Sequence, residues 1–143
     1  MKKIVLDSCV FIKMFLDEED SDLALEFFNK LLEERTKIIV PHLFKYEVFA
    51  IAQKNKISLE NIAAILENYE KVAIRYEELD SQILPKIISI TKEGNIKSGF
   101  PSFYDSSYHA LAIINECNFI TCDKKHYKKT KQLKHIKLLQ EFL

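Results

Sequence analysis

Short apolar runs alternate with longer segments of helical period along this chain, and that alternation narrows the possible folds more than any other feature. The runs "KIVLD", "TKIIV", "KVAIRYE", "FIT" and "IKLL" have strand length. Between them lie "SCVFIKMFL", "SDLALEFFNKLLEER", "PHLFKYEVFAIAQKNK", "SLENIAAILENYE", "SQILPKIISITKEG" and "FYDSSYHALAIINEC", which read as helices. In the second of these, Leu23, Phe27 and Leu31, with Phe28 and Leu32, share one face. Strands separated by helices pair in parallel through right-handed crossovers. The prediction is a three-layer α/β/α domain with a short central parallel sheet flanked by helices. With 143 residues and no repeat, low-complexity segment or linker, the chain suits one domain, 1–143.

Local signals set expected boundaries. Pro41 falls in the permissive first turn of its helix, and Ser58 is a candidate N-cap. Pro85 requires its helix to begin near Ser81 or bend. "KSGFPS" is the clearest loop, and Asn118 can close the helix before it in a left-handed conformation.

Composition excludes several classes. A chain 48% hydrophobic and 29% charged, with two Gly and three Pro, folds compactly and is not disordered. No apolar run approaches a bilayer span, and "MKKIVLD" lacks the long apolar region of a signal peptide, so no membrane association is expected. Three cysteines without paired spacing point to a reducing, cytoplasmic setting. The net charge is zero but uneven: from Lys92 onward nine lysines face five acids. Most of that excess lies in "KKHYKKTKQLKHIK". Such a run suits a solvated surface loop, or a phosphate-facing patch formed by Lys124, Lys125, Lys128 and Lys129.

Two strands end on carboxylates, Asp7 after "KIVL" and Asp123 after "FITC". Ligands in parallel sheets bind beyond the carboxyl ends of the strands, so both acids belong at that edge. Glu47 sits in an apolar helical stripe with Leu43, Ala50 and Ile51, where a carboxylate is costly to bury unless something neutralises it. Asp105 falls in "SFYD", a capping box, yet shares an inward-leaning face with Tyr108 and Ala112. Each acid has a structural explanation, as a cap or a boundary residue. If all four converge, like-charge repulsion calls for a cation. Oxygen ligands without clustered His or Cys favour Mg²⁺ or Mn²⁺ over zinc. Such a centre activates water for in-line displacement at phosphorus.

The ordered series "VLDS", "PHLFKYE", "YDSSYHALA" and "ITCD" resembles the PIN-domain nucleases, and most of all the VapC-type toxins of toxin–antitoxin pairs, over essentially the whole chain. The resemblance implies that Asp7, Glu47 and Asp105 are core metal-binding and catalytic acids, with Asp123 the fourth. It implies supporting hydroxyls at Ser8 and Thr121, cleavage of RNA with Mg²⁺ or Mn²⁺, a cognate antitoxin and a homodimer. Cys9 and His109 depart from the family's usual residues. An antitoxin tail is expected to insert a basic side chain among the acids and lay apolar residues against Phe11, Met14 and Phe15.

Other readings fit less well. A haloacid-dehalogenase-type phosphatase needs an Asp where Cys9 stands, and a receiver domain needs an acidic pair before a later strand-end Asp. A cysteine phosphatase needs an Arg-containing phosphate loop absent from "CVFIKMF". A zinc site from Cys117, Cys122 and His126 has irregular spacing. His109 suits a packed or hydrogen-bonded helix position, or a partner of Asp105. From another class comes a non-catalytic RNA- or protein-binding module on the same fold, which has no physical need for an acidic pocket.

Overall fold

The structure is a computed structural model, and it describes residues 2–142. Five strands, β1 (Lys3–Leu6), β2 (Lys37–Pro41), β3 (Ile74–Glu77), β4 (Asn118–Thr121) and β5 (Ile136–Leu138), form one all-parallel sheet in the order β3-β2-β1-β4-β5. Among the described residues seven helices flank it: α1 (Ser8–Lys13), α2 (Ser21–Glu33), α3 (Leu43–Lys54), α4 (Leu59–Val72), α5 (Ile83–Thr91), α6 (Phe103–Ile114) and α7 (Lys124–Thr130).

From β1 the chain moves outward to β2 and β3, then crosses back to β4 and β5 on the other side of β1. With right-handed crossovers this reversal puts α1 to α4 on one face and α5 to α7 on the other. It also places the switch point between β1 and β4, the two strands that end at Asp7 and Asp123. The central strands are apolar on both faces: Val5, Leu6, Ile38, Ile39, Val40, Phe119 and Ile120 are fully buried. On the first face, Phe11, Phe28 and Tyr69 from α1, α2 and α4 meet edge-on at 5.5–5.6 Å. On the second, α6 packs against β1, β2 and β4 and carries α5 on its outer side.

Several boundaries differ from the sequence expectation. Pro41 ends β2, opposite Glu77 of β3, and α3 begins two residues later at Leu43. At a strand terminus the missing N–H is tolerable, so sheet pairing prevails over the helix-start signal. Asn118 opens β4 opposite Ile4, and Glu116 takes the left-handed conformation (φ 54°) instead. Leu32 remains exposed although its helical neighbours are buried. The lysine run is no loop: Lys124–Thr130 is helical, because Asp123 caps it by accepting from the N–H of Lys125 and His126 at 2.9 and 3.1 Å. Ser58 does cap α4, accepting from Asn61 N–H at 3.2 Å, and Pro85 falls in the first turn of α5. Around the expected loop, Asn95 and Gly99 exchange two backbone hydrogen bonds. Gly94 is required there, since a Cβ would lie 2.4 Å from Gly99 O.

Candidate active site

Asp7 follows β1 and caps α1. It is 6% exposed, and the polar groups around it explain how it tolerates burial. Thr121 at the end of β4 donates its hydroxyl to Asp7 Oδ2 at 2.7 Å. Cys9 N–H lies 3.5 Å from Oδ1. Burial pushes the Asp7 carboxyl above its ordinary value; the bonds from Thr121 and Cys9 oppose the shift, and the charge of Asp123 adds to it.

Glu47 reaches the same region from the middle of α3. Ser8 Oγ, at the start of α1, lies 3.3 Å from both Asp7 Oδ1 and Glu47 Oε1, so its single proton can be donated to either acid. Tyr108 Oη donates to Glu47 Oε1 at 2.5 Å. Burial raises the Glu47 carboxyl; the Tyr108 and Ser8 bonds pull against that, and the Asp7 charge reinforces it.

Asp105 lies in the first turn of α6, where Ser102 caps the helix by accepting the Asp105 N–H at 3.0 Å. The capping role is therefore real, and the carboxyl does more besides. Burial, then the charges of Asp7 and Asp123, push it up to about 7. Asp123 completes the ring. Its own N–H donates to Thr121 Oγ1 at 3.0 Å while its Oδ1 caps α7. Thr121 thus holds Asp7 with its proton and receives Asp123 with its oxygen.

The fold brings all four acids to the carboxyl edge of the sheet, with Ser8 and Thr121 between them. Among the described residues no lysine or arginine forms an ion pair with any of the four. Their mutual repulsion is therefore uncompensated by protein cations. The donor set, carboxylate oxygen supported by hydroxyls, suits a hard divalent ion. Among the described residues no three acidic, His or Cys side chains already stand as a ligand cluster.

The remaining predicted positions divide. Lys124, Lys125 and Lys128 are exposed along α7, while Lys129 is half-buried against Gly99, where a Cβ would lie 3.4 Å from Nζ. Lys124 also lies near enough to Asp20 to lower that acid's pKa, though the hydrogen bond from Lys13 dominates there. Cys9 packs under the site, its Sγ accepting Cys122 N–H at 3.3 Å. His109 is a packed residue: fully buried, with Nε2 2.8 Å from Lys134 O. Phe11 offers no docking surface, because it is fully buried among the rings of Phe15, Phe28, Phe44 and Tyr69. Exposed apolar groups lie elsewhere, at a cleft of about 210 Å³ whose lining includes Pro41, Leu79, Ile83, Phe103 and Tyr104. The contact that sequence reading missed is Tyr108 with Glu47, because the two residues are 61 positions apart.

The PIN domain family model matches residues 4–132, and the chain belongs to that family. Solved structures with similar folds include VapC20 of Mycobacterium tuberculosis, a toxin that cleaves the sarcin–ricin loop. It is 12% identical, with 87% of this chain and 93% of that one covered and a TM-score of 0.68. VapBC2 of Rickettsia felis, bound to a promoter DNA fragment, is 14% identical over 95% and 96% of the two chains, with a TM-score of 0.66. FitAcB of Neisseria gonorrhoeae is 11% identical over 94% and 95%, with a TM-score of 0.63. No curated protein matches the sequence.

Proposed function

We propose that this PIN-domain protein is a Mg²⁺- or Mn²⁺-dependent endoribonuclease and the toxin of a toxin–antitoxin pair. One observation carries the reading. Four carboxylates from four separated segments gather at the switch point of a PIN fold without a protein cation among them. A purely structural or binding role gives no return for that repulsion.

Asp7, Glu47, Asp105 and Asp123 would hold the cation, which would supply an activated water and neutralise charge on the phosphoryl oxygens. Ser8 and Thr121 orient Asp7 and keep its two oxygens in fixed directions. Lys124, Lys125, Lys128 and Lys129 attract the RNA backbone toward a pocket that would otherwise repel it. The toxin role draws further support from VapC20, a toxin by its description, and from VapBC2 and FitAcB among the similar folds. The antitoxin is read as inserting a basic side chain among the acids, with Arg favoured because its fork can bridge two carboxylates. Apolar surface at the α5/α6 side supports a homodimer. Among the described residues no helix is long and apolar enough to cross a membrane, and a reducing cytoplasmic setting fits three free cysteines.

The test is cleavage of RNA by the purified protein with Mn²⁺, with excess chelator, and with Asp7→Asn. Cleavage should vanish in chelator and fall at least ~100-fold in the variant. Full activity of purified Asp7→Asn would remove the nuclease assignment. Binding of RNA without any cleavage would favour the non-catalytic module.

A further inference from the structure

Tyr108 occupies an unusual place for a tyrosine. Its ring is fully buried against β4, stacked on Phe119 with centroids 5.4 Å apart and planes 10° from parallel. Its hydroxyl leaves that apolar packing and ends on a single atom, Glu47 Oε1, at 2.5 Å. A buried phenol needs a polar partner, but this one is a carboxylate on α3, in the opposite helical layer, at the edge where the acids collect.

Two facts give the contact a function. Tyr108 lies three residues after Asp105 on α6, so both occupy one side of the same helix. That helix therefore sets the position of one acid directly and of another through a hydrogen bond. Ser8 approaches the same Glu47 oxygen, at 3.3 Å, so both donors converge on Oε1, and among the described residues no hydrogen bond engages Oε2. A glutamate has three side-chain torsions to order, and a rigid ring that fixes one oxygen removes much of that freedom.

We propose that Tyr108 is a positioning residue: its stacked ring and hydroxyl fix Glu47 Oε1 so that the Glu47 carboxylate keeps a set orientation toward Asp7 and Asp105. The role rests on the proposed metal centre, in which Glu47 is a ligand. Supporting contacts of this kind hold a ligand in its binding orientation before the ion arrives, and their loss commonly weakens metal affinity by about 10–100-fold.

Tyr108→Phe removes the hydroxyl and keeps the stacked ring. Mn²⁺ binding to the metal-free protein, measured by titration calorimetry, should weaken about 10-fold, with the far-ultraviolet circular dichroism unchanged. In a Glu47→Gln background the same change should alter Mn²⁺ affinity by less than about twofold, because the group that it positions is already gone. A merely structural role would lower the melting temperature of both proteins and leave Mn²⁺ affinity alone. Tyr108→Phe with unaltered affinity would overturn the positioning role and leave the nuclease reading standing, as would an undiminished loss in the Glu47→Gln background. An unaltered protein that binds no Mn²⁺ would overturn the proposed function, and the positioning role with it.

Discussion

Asp105 is surrounded by reasons not to ionise. Burial opposes the charge, Asp7 and Asp123 repel it, and its carboxyl rises from 3.8 to about 7. Between about pH 4 and 7 the folded chain therefore keeps a proton at this position that the unfolded chain has released. More protons on the folded state mean that this group's contribution to stability falls as pH rises through that window, and levels off above it. His109 and His126 act with the opposite sign. Burial lowers both imidazoles, His126 to about 4, so their contribution rises with pH until the unfolded histidines have lost their protons. The clean quantity is the difference between Asp105→Asn and the unaltered protein. Without metal, the variant should gain relative stability from pH 4 to 7 and hold a melting temperature about 3 °C higher at pH 7.5. Added Mn²⁺ should reverse the order by stabilising only the protein with its full set of acids. Scanning calorimetry across pH checks this, and a difference that does not vary with pH would show that Asp105 is not crowded by its neighbours.

At the scale of elements, the informative case is α7. Its sequence reads as a charged run, and nothing in its periodicity marks it as a helix. What makes it one is Asp123, whose carboxylate satisfies two N–H groups of the first turn. Buried His126 and Thr130, four residues apart, then turn one side of the helix inward. The strands were legible because their apolar runs are short and continuous, and the strand-end places of Asp7 and Asp123 because each follows such a run. Pro41 and Asn118 were misread for one physical reason: each carries a strong local signal that parallel pairing overrode, with Glu77 and Ile4 as the partners. The Tyr108–Glu47 bond was beyond sequence reading, since it depends on a contact between opposite layers. Helical order gives the lysines a geometry that a loop would not. Replacing Lys124, Lys125, Lys128 and Lys129 by Gln should flatten the salt dependence of RNA binding, with a slope smaller by about 1–3. The full value for four phosphate contacts is unexpected, because Lys129 is half-buried. Cleavage positions should not change, since phosphate contacts carry no sequence information. Filter binding at several salt concentrations measures the slope; an unaltered one would place these lysines away from the RNA.

Considered as a whole, the molecule divides its surface between two kinds of incompatibility with water. At the sheet's carboxyl edge, beside the β1/β4 switch point, there are carboxylates without a cation; toward β3, α5 and α6 there are apolar side chains without a cover. Leu79, Ile88, Phe103 and Tyr104 are 54%, 42%, 42% and 62% exposed, and Leu84 lies one helical turn before Ile88 on α5. Single exposed apolar residues are ordinary, but Leu79, Phe103 and Tyr104 around one cleft, with Pro41, Ile83 and Leu111, form a patch of the kind that marks an interface. Glu77 and Glu78 also line the cleft, and Glu77 is paired with Arg75 at 2.9 Å. The homodimer proposed above would place a second copy of the chain on this face and leave each protomer's acids free for RNA or antitoxin. Leu79→Glu combined with Tyr104→Glu places two charges on the patch at exposed positions, where the folded monomer should lose less than about 1 kcal/mol. Light scattering after gel filtration should show a dimer for the unaltered protein and a monomer for the double variant. The melting temperature at low concentration should stay within a few degrees. A monomeric unaltered protein at high concentration, or a double variant that still dimerises, would assign this face to something other than self-association.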